Sequence, residues 1–432
     1  MNGSNKDSAP TVPASSNKSH YSFATLGVHG DDACNSTTDV APALHVSTTF
    51  RYSDDPDKLV PAVDGEATRN PLIPAPADTH IYSRLSTPNT TRLEAILAQL
   101  LGQPCLTYSS GLSAFHAILV HLRPRVVAIG AGYHGCHGVL ELYQRLSACK
   151  IVDLHDVSTW ADLGTGDVVH LETPLNPTGE ASDIEHYAKL AHERGAALTV
   201  DATFAPPPLQ DPFVHGADFV MHSGTKYVGG HSDMLCGIVA VSQQRQTWQE
   251  DYWGLYKDRL FLGAVMGSLE GWLGVRSLRT LELRITRQSA NATELVRWLD
   301  TLMKGKIEGD STEEDIAIVR KAVYKLQHSS LQIDESTGKT PKWLTKQMPS
   351  GHGPVFAIWM RSKEMAKRLP SQTHLFQHAT SLGGVESLIE WRRMSDDTVD
   401  DRVLRVSIGV ENIEDLKRDL LEAFRGLTAW LP

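Results

Sequence analysis

The sequence predicts an α/β protein that combines a large, mostly parallel sheet domain with a smaller α+β domain at the C-terminus. From about residue 105 to residue 242, short β-branched runs alternate with stretches whose apolar residues recur every three or four positions. Strands separated by crossover helices are typical of a buried parallel sheet. The predicted strands are residues 126–129, 151–154, 168–172, 198–201, 219–221 and 238–241, and two of the helices between them are residues 138–147 and 184–193.

The C-terminal part of the chain has a different pattern, with long helices and fewer strands. Residues 303–345 are strongly charged and rich in turn formers, which predicts an insertion or flexible region inside the smaller domain. The other predicted elements are helices at residues 260–273, 277–299 and 413–427 and strands at residues 355–360 and 403–408.

A chain of 432 residues exceeds the size at which one hydrophobic core keeps growing, so two domains of unequal size are expected. The first twenty residues are polar and lack the apolar stretch of a secretory signal, which predicts a disordered tail. The expected parts are the tail at residues 1–21, an N-terminal segment at 22–80, a large domain at 81–275 and a smaller domain at 276–432 with its charged insertion at about 303–345.

The composition excludes several classes of partner. A formal charge of −10 argues against nucleic acid or an anionic membrane, and no apolar run approaches the length of a membrane span. Five cysteines without C-x-x-C pairing favour a reducing, cytoplasmic compartment. His134, Cys136 and His137 are close in sequence but cannot all face one ion within a short turn, so no metal site is expected.

The most informative residue is Lys226, which follows a mostly apolar run at residues 217–221 and precedes two glycines. A lysine at the end of a buried strand is partly desolvated, which lowers its pKa and prepares the amine to form an imine with a carbonyl compound. Ser223 and Thr225 are placed to donate hydrogen bonds to an anion. Pyridoxal phosphate (PLP) requires such a lysine, a phosphate site and an acid for its ring nitrogen, although the motif alone also fits a surface lysine after a strand.

Three further segments supply the other groups. Ser110 and Gly111 lie where a strand turns into an apolar helix, so backbone N–H groups there can bind a phosphate. Asp201 closes an apolar strand and could hold a pyridine nitrogen protonated, although a helix cap or turn aspartate looks the same. Asn176 leaves a strand between two prolines, and its fixed position suits it to bind a ring oxygen or a substrate carboxylate.

In order and spacing, the motifs resemble the cystathionine γ-synthase/γ-lyase family of PLP enzymes, of fold type I with a large, mostly parallel sheet of the seven-stranded type. The resemblance covers about residues 22 to 430, with a slight rearrangement after Arg84. The matching segments are Pro42-Ala43-Leu44-His45-Val46-Ser47-Thr48-Thr49-Phe50, Ile81-Tyr82-Ser83-Arg84 with Thr87-Pro88-Asn89, Ser110-Gly111-Leu112, Glu172-Thr173-Pro174-Leu175-Asn176-Pro177-Thr178-Gly179, residues 222–230, residues 381–388 and residues 404–411.

The resemblance implies a role for each matching residue. Lys226 carries the cofactor and later moves protons, and Asp201 pairs with the pyridine nitrogen. The residues implied in phosphate binding are Ser110, Gly111, Leu112, Ser223 and Thr225. Tyr133 stacks on the cofactor ring, while Tyr82 and Arg84 reach the phosphate of the neighbouring subunit. The residues implied in substrate binding are Arg405, which clamps the α-carboxylate, with Asn176, Ser381 and Leu382.

The sequence departs from the family pattern at residues 133–136 and 389–396, the second of which is expected near the substrate entrance. Similar divergence occurs in a fungal branch that serves secondary metabolism. We therefore expect a PLP-dependent transferase that performs γ-replacement on an activated L-homoserine, with O-acetyl-L-homoserine favoured over succinyl or phosphate esters, through a vinylglycine ketimine. Tyr133 or the neighbouring subunit's Tyr82 assists by general acid–base catalysis.

The acceptor can be a carbon nucleophile such as an aldehyde or β-keto acid enolate, or cysteine or sulfide as in trans-sulfuration. Two other readings remain: a cystathionine γ- or β-lyase, and a catalytically silent relative kept for binding. The complete set of Lys226, Asp201, Arg405, Tyr133 and Tyr82 argues against the silent relative. The expected partners are a small amino-acid substrate and a nucleophile, with a homodimer as the minimal active unit and a homotetramer as the expected assembly.

Overall fold

The computed structural model describes residues 21–59, 61 and 80–430. Nearly all of the predicted tail therefore lies outside the described residues, as does most of the second half of the predicted N-terminal segment. That segment begins with a short helix, α1 (Phe23–His29). Two arginines of the large domain anchor the chain just after α1, because Arg92 and Arg279 both form ion pairs with the buried carboxylate of Asp31, at 3.0 and 2.6 Å.

The large domain is built on a seven-stranded sheet, as predicted. Its strands are β1 (Cys105–Tyr108), β2 (Val126–Ile129), β3 (Lys150–Asp153), β4 (Val168–Glu172), β5 (Ala197–Asp201), β6 (Phe219–Ser223) and β7 (Gly237–Val241). Their order is β1-β7-β6-β5-β4-β2-β3, and β7 alone among them runs antiparallel to its neighbours. Strands β2 and β4 have the predicted bounds, because continuous apolar runs mark strands buried on both faces.

Helices cover the large sheet on both faces and bury a separate apolar cluster against each face. They are α2 (Pro88–Leu101), α3 (Gly111–Leu122), α4 (His134–Gln144), α5 (Ile184–His192), α6 (Trp248–Leu262) and α7 (Ser268–Leu278). The helix predicted at residues 260–273 is wrong. Helix α6 ends at Gly263, whose φ of 66° is left-handed, and α7 begins only after Gly267 in an extended conformation. The two glycines therefore split the predicted helix.

The smaller domain contains a five-stranded sheet, entered through the long helix α8 (Leu281–Met303). The remaining elements are α9 (Glu313–Ala322), β8 (Val323–Gln327), α10 (Lys342–Gln347), β9 (Val355–Met360), α11 (Lys363–Arg368), β10 (Gln377–His378), β11 (Leu388–Trp391), β12 (Val403–Ser407) and α12 (Ile413–Trp430). The strand order is β10-β11-β12-β9-β8. The expected domain boundary at residues 275 and 276 falls inside α7, and α8 runs from the core of the large domain into that of the smaller one.

The charged insertion expected at residues 303–345 is corrected by the structure, because α9 and β8 lie in the middle of this range and belong to the smaller domain. Ile316, Val319 and Val323 are buried in its core. The capping box of Thr312 and Asp315 begins α9. Glu313, Glu314, Arg320 and Lys321 lie on the exposed face of this amphipathic helix, which contributes to a composition that resembles a loop.

Both sheets bring polar residues to the same region. Glu172 and Asp201 are register partners at the carboxyl ends of β4 and β5, and β6 ends next to them at Ser223. From the other sheet, Glu390 on β11 pairs in register with Arg405 on β12. Ligand sites of open α/β sheets gather at the carboxyl ends of the strands, so this is the expected position of a site. Within the described residues, no helix has the length and apolar character needed to cross a membrane.

Candidate active site

A cavity of about 350 Å³ lies at the carboxyl edge of the large sheet and is closed on one side by the smaller domain. Twelve of the predicted site residues line it, namely Ser110, Gly111, Leu112, Tyr133, Asn176, Asp201, Ser223, Thr225, Lys226, Ser381, Leu382 and Arg405. Tyr82 and Arg84 do not line the cavity of their own chain. Tyr82 is 42% exposed, and the Arg84 guanidinium carbon lies 5.4 Å from the centre of the Tyr82 ring.

Lys226 lies in the turn that follows β6, where its backbone N–H donates to the carbonyl of Ser223 at 3.1 Å. The amine Nζ donates to Ser381 Oγ at 2.7 Å, so the lysine reaches from the large domain to the smaller one. Burial and the positive charge of Arg405 lower the Lys226 pKa to about 8, against a smaller opposing effect of Glu390. A larger fraction of the amine is therefore neutral and nucleophilic near neutral pH than for an exposed lysine.

Asp201 is buried at the end of β5, and Thr203 donates both its backbone N–H, at 3.0 Å, and its hydroxyl, at 2.5 Å, to Asp201 Oδ1. Burial raises the pKa of Asp201, and these two hydrogen bonds oppose the rise. The neighbouring Glu172 accepts from the backbone N–H groups of Tyr133 and Asn176, both at 2.7 Å. Burial and the charge of Asp201 raise the pKa of Glu172 to about 8. A cation beside Asp201 would therefore reduce the repulsion between the two carboxylates.

The start of α3 packs closely against the end of β6. A Cβ added to Gly111 would lie 3.1 Å from Ser223 Cβ, so only glycine permits this approach without a shift of the neighbouring chain. Ser110 caps the helix by accepting from the Ser113 N–H at 3.1 Å. The Thr225 hydroxyl accepts from the Cys236 N–H at 3.1 Å. The open N–H groups at the helix N-terminus give this corner of the cavity a positive potential that suits a phosphate.

The smaller domain contributes Arg405, which is buried at the opposite side of the cavity. Its guanidinium donates to the Ser381 carbonyl at 2.7 Å and to Asn176 Oδ1 at 3.3 Å, and it forms an ion pair with Glu390 at 2.6 Å. Burial lowers the Arg405 pKa to about 10, although Glu390 opposes this. The sequence placed Arg405 and Asn176 in the site together, and the structure brings them into contact.

Three residues near Arg405 received no role from the sequence. Glu390 and Arg392 are buried, and Arg392 and Ser395 line the cavity. Glu390 accepts from Arg392 at 2.9 Å and from Ser395 at 2.7 Å while also pairing with Arg405. Glu172 was likewise quoted in a motif without a function. The available signal for Glu172 was its place at the end of a predicted strand. Glu390 depends on its pairing with Arg405 across two strands, and Arg392 lies in a short 3-10 helix after β11, so no local pattern indicates either residue.

The cavity fits PLP by the chemistry of its residues. A buried amine with a lowered pKa, a carboxylate buried at a strand end and a helix N-terminus with room for an anion surround one space. These correspond to the three groups that the cofactor requires for its aldehyde, its ring nitrogen and its phosphate. The fold and this set of residues define a PLP-dependent enzyme of fold type I.

The chain belongs to the Cys/Met metabolism PLP-dependent enzyme family, which matches residues 24–425. It is 31% identical over 361 residues to a cystathionine beta-lyase of Lactococcus lactis subsp. cremoris, covering 79% of this chain and 87% of the relative. It is 29% identical over 360 residues to a cystathionine gamma-synthase/O-acetylhomoserine (thiol)-lyase of Bacillus subtilis, covering 79% and 85%. The crystal structure of metB from Corynebacterium glutamicum matches with a TM-score of 0.78 at 27% identity, covering 95% of this chain and 99% of the other.

Proposed function

We propose that this enzyme catalyses γ-replacement on an O-activated L-homoserine, with O-acetyl-L-homoserine as the donor and a nucleophile added at Cγ. The observation that carries the proposal is the shared cavity of Lys226, Asp201 and Arg405, which supplies a base, an acid for the cofactor ring and a carboxylate clamp. A relative named for both cystathionine gamma-synthase and O-acetylhomoserine (thiol)-lyase activity supports this chemistry. A carbon nucleophile is the favoured acceptor, because the residues beside Arg405 differ from the family pattern.

PLP, when bound, would withdraw electrons from the substrate Cα and so make the protons at Cα and then Cβ acidic. Arg405 and Asn176 would orient the substrate α-carboxylate. Lys226 Nζ, with its pKa near 8, would take the Cα proton and return it later. Ser381 Oγ, at 2.7 Å from Nζ, would hold the amine in position between these transfers.

Asp201 would keep the ring nitrogen protonated, supported by the two hydrogen bonds from Thr203. Ser110, Gly111, Leu112, Ser223 and Thr225 would hold the phosphate. The Tyr133 ring, which lines the same cavity, would stack on the cofactor and assist the loss of the γ-ester. Tyr82 and Arg84 are proposed to serve a neighbouring subunit, so a homodimer would be the minimal active unit. We further propose that two dimers form a homotetramer.

Incubation of the purified enzyme with O-acetyl-L-homoserine and single acceptors, analysed by mass spectrometry, tests the proposal. Acetaldehyde, acetoacetate, cysteine and sulfide cover the carbon and sulfur alternatives. A new amino acid that contains the carbon acceptor is the expected result, whereas cystathionine or homocysteine alone would make this a conventional sulfur-transfer enzyme. No product from the ester with any acceptor would refute γ-replacement.

The second candidate is a lyase that cleaves cystathionine or a related sulfur amino acid, and the relative named cystathionine beta-lyase supports it. The same cavity residues would serve, because elimination shares the first proton transfers with replacement. Incubation with cystathionine alone separates the two. A lyase would release a keto acid and ammonia from cystathionine at least as fast as this enzyme forms any γ-replacement product from the homoserine ester, whereas a γ-replacement enzyme would release them more slowly.

A further inference from the structure

Arg392 is a second arginine of the candidate active-site cavity, and the proposed function assigns it no role. It is 3% exposed and belongs to the stretch that departs from the family pattern. Arg392 and Tyr133 both line the cavity. Arg392 therefore borders the space that a bound ligand would occupy.

The Arg392 guanidinium keeps most of its hydrogen-bonding capacity unused. It has five donor hydrogens, and Nη1 donates to Glu390 at 2.9 Å. Nη2 lies 3.8 Å from Asp396, which is an ion pair without a hydrogen bond, and Nε is buried with no partner among the described residues. A buried donor without a partner is unfavourable, so a ligand that accepts from the Arg392 guanidinium would be favoured.

Arg405 already has three acceptors, namely the Ser381 carbonyl, Asn176 and Glu390, whereas Glu390 is the one side chain within hydrogen-bond distance of Arg392 among the described residues. Glu390 pairs with both arginines. Burial favours its neutral form, but Arg405, Ser395 and Arg392 together lower its pKa, so the carboxylate is charged. One buried carboxylate thus lies between two guanidinium groups, and the more distant Asp396 is the other acidic group against Arg392.

The remaining titratable groups near Arg392 do not supply another acceptor of full negative charge. Burial and the charge of Asp201 raise the pKa of Glu172, and its carboxyl group already accepts from two backbone N–H groups. Tyr133 has a raised pKa and is neutral. The tyrosine side of the cavity is consequently suited to a small anion.

We propose that Arg392 binds a second carboxylate of the reacting molecules, while Arg405 binds the α-carboxylate of the amino-acid donor. The part that this carboxylate plays in the reaction rests on the proposed function, whereas its binding by Arg392 does not. The second carboxylate is carried either by the ester group of the donor or by the acceptor, as in a β-keto acid. Arg392 is thereby a specificity-determining residue that selects substrates with two carboxylates.

Calorimetric binding to the PLP-loaded enzyme tests this with L-2-aminoadipate and L-norleucine, which have the same chain length and differ in the distal carboxylate. A charged, bidentate contact predicts that aminoadipate binds about 10-fold more tightly than norleucine. In Arg392→Gln the preference should fall below about 2-fold, and Arg392→Lys should keep part of it. Arg393→Gln is the matched control, because this neighbouring arginine is exposed, and it should retain the full preference.

A wild-type enzyme that binds both amino acids equally would overturn the proposal, as would a preference that survives in Arg392→Gln. The wild-type comparison stands even where a variant fails to fold. The ratio of the two affinities does not depend on turnover. If the enzyme converts no homoserine ester, the proposed function is refuted, and the affinity ratio alone decides whether Arg392 binds a carboxylate.

Two kinetic comparisons identify which molecule carries the second carboxylate. If the donor carries it, wild type should prefer O-succinyl- to O-acetyl-L-homoserine, and Arg392→Gln should reverse the preference. If the acceptor carries it, wild type should prefer acetoacetate to its methyl ester, and the same variant should lose that preference. An active enzyme that shows neither preference would overturn the proposal.

Discussion

The two walls of the cavity are built in different ways. The lysine wall comes from the large domain and consists of Gly111, Asp201, Ser223 and Lys226. The arginine wall comes from the smaller domain and consists of Ser381, Glu390, Arg392 and Arg405. Residues of the lysine wall lie at strand ends and helix starts, whereas the arginine wall is held by a continuous set of buried ion pairs.

This difference separates the general from the specific part of the enzyme. The lysine wall offers what any PLP enzyme needs, and its residues follow from the topology of the sheet. We propose that the arginine wall determines which molecule lies against the cofactor. Its geometry depends on the pairing of Glu390 with Arg405 across β11 and β12. Changes in the lysine wall should therefore abolish the chemistry, while changes in the arginine wall should alter stability and selectivity.

The largest effect is expected for Lys226→Ala. Removal of the amine deletes both the attachment point of the cofactor and the base, so turnover should fall by about 10⁴-fold. Borohydride reduction should attach the cofactor to Lys226 in the wild type but not in Lys226→Ala, and peptide mapping would locate the label. Lys257→Ala, an exposed lysine on α6, is the control and should keep activity and labelling. Unchanged labelling of Lys226→Ala would remove this residue from its proposed role.

The next effect concerns the acid of the lysine wall. In Asp201→Asn the amide keeps the size of the side chain but cannot hold the ring nitrogen protonated, so kcat should fall by about 10²- to 10³-fold. The substrate KM should change little, because Arg405 and Asn176 are untouched. A variant with full kcat would show that Asp201 does not act on the cofactor ring, and circular dichroism would exclude misfolding as the cause of a loss.

The contrast between the walls also shows how far the sequence reaches. Lys226, Asp201 and Gly111 could be predicted because a buried strand or capped helix leaves a local pattern, and the family motifs located Asn176 and Arg405. The roles of Glu390 and Arg392 could not, since the Glu390–Arg405 pair is a long-range contact between two strands, and Arg392 lies in a short 3-10 helix after β11 whose burial no period in the sequence indicates.

The errors in the fold have a different cause, because they are misread local signals. The amphipathic helix α9 resembled a loop because its exposed face is charged, and the helix expected at residues 260–273 ignored the break between Gly263 and Gly267. Most strand positions in the large sheet were predictable because strands buried on both faces are mostly apolar, whereas β3 lies at the edge and is largely exposed.

Glu390→Gln is expected to destabilise the protein by about 3 kcal/mol, because it leaves the buried guanidiniums of Arg392 and Arg405 without their shared charge. Urea unfolding at matched protein concentration measures the change. Glu364→Gln removes one partner of the exposed pair with Arg368 and should cost less than about 0.5 kcal/mol. Equal effects of the two substitutions would mean that the arginine wall is not held by its buried charges.

The smallest effect tests whether the two walls are electrically coupled. In the cofactor-free protein, Lys226 has a pKa of about 8 because of burial and Arg405, and Glu390 acts in the opposite direction. Only the neutral amine reacts with acetic anhydride, so trace labelling of Lys226, followed by mass spectrometry, should rise with pH and reach half its maximum near pH 8. In Glu390→Gln the loss of the negative charge, and of its neutralising effect on Arg405, should move this midpoint to lower pH. Glu364→Gln should leave the midpoint in place. A midpoint that stays fixed in Glu390→Gln, or moves to higher pH, would show that the arginine wall does not tune the lysine, and the two walls would then act independently.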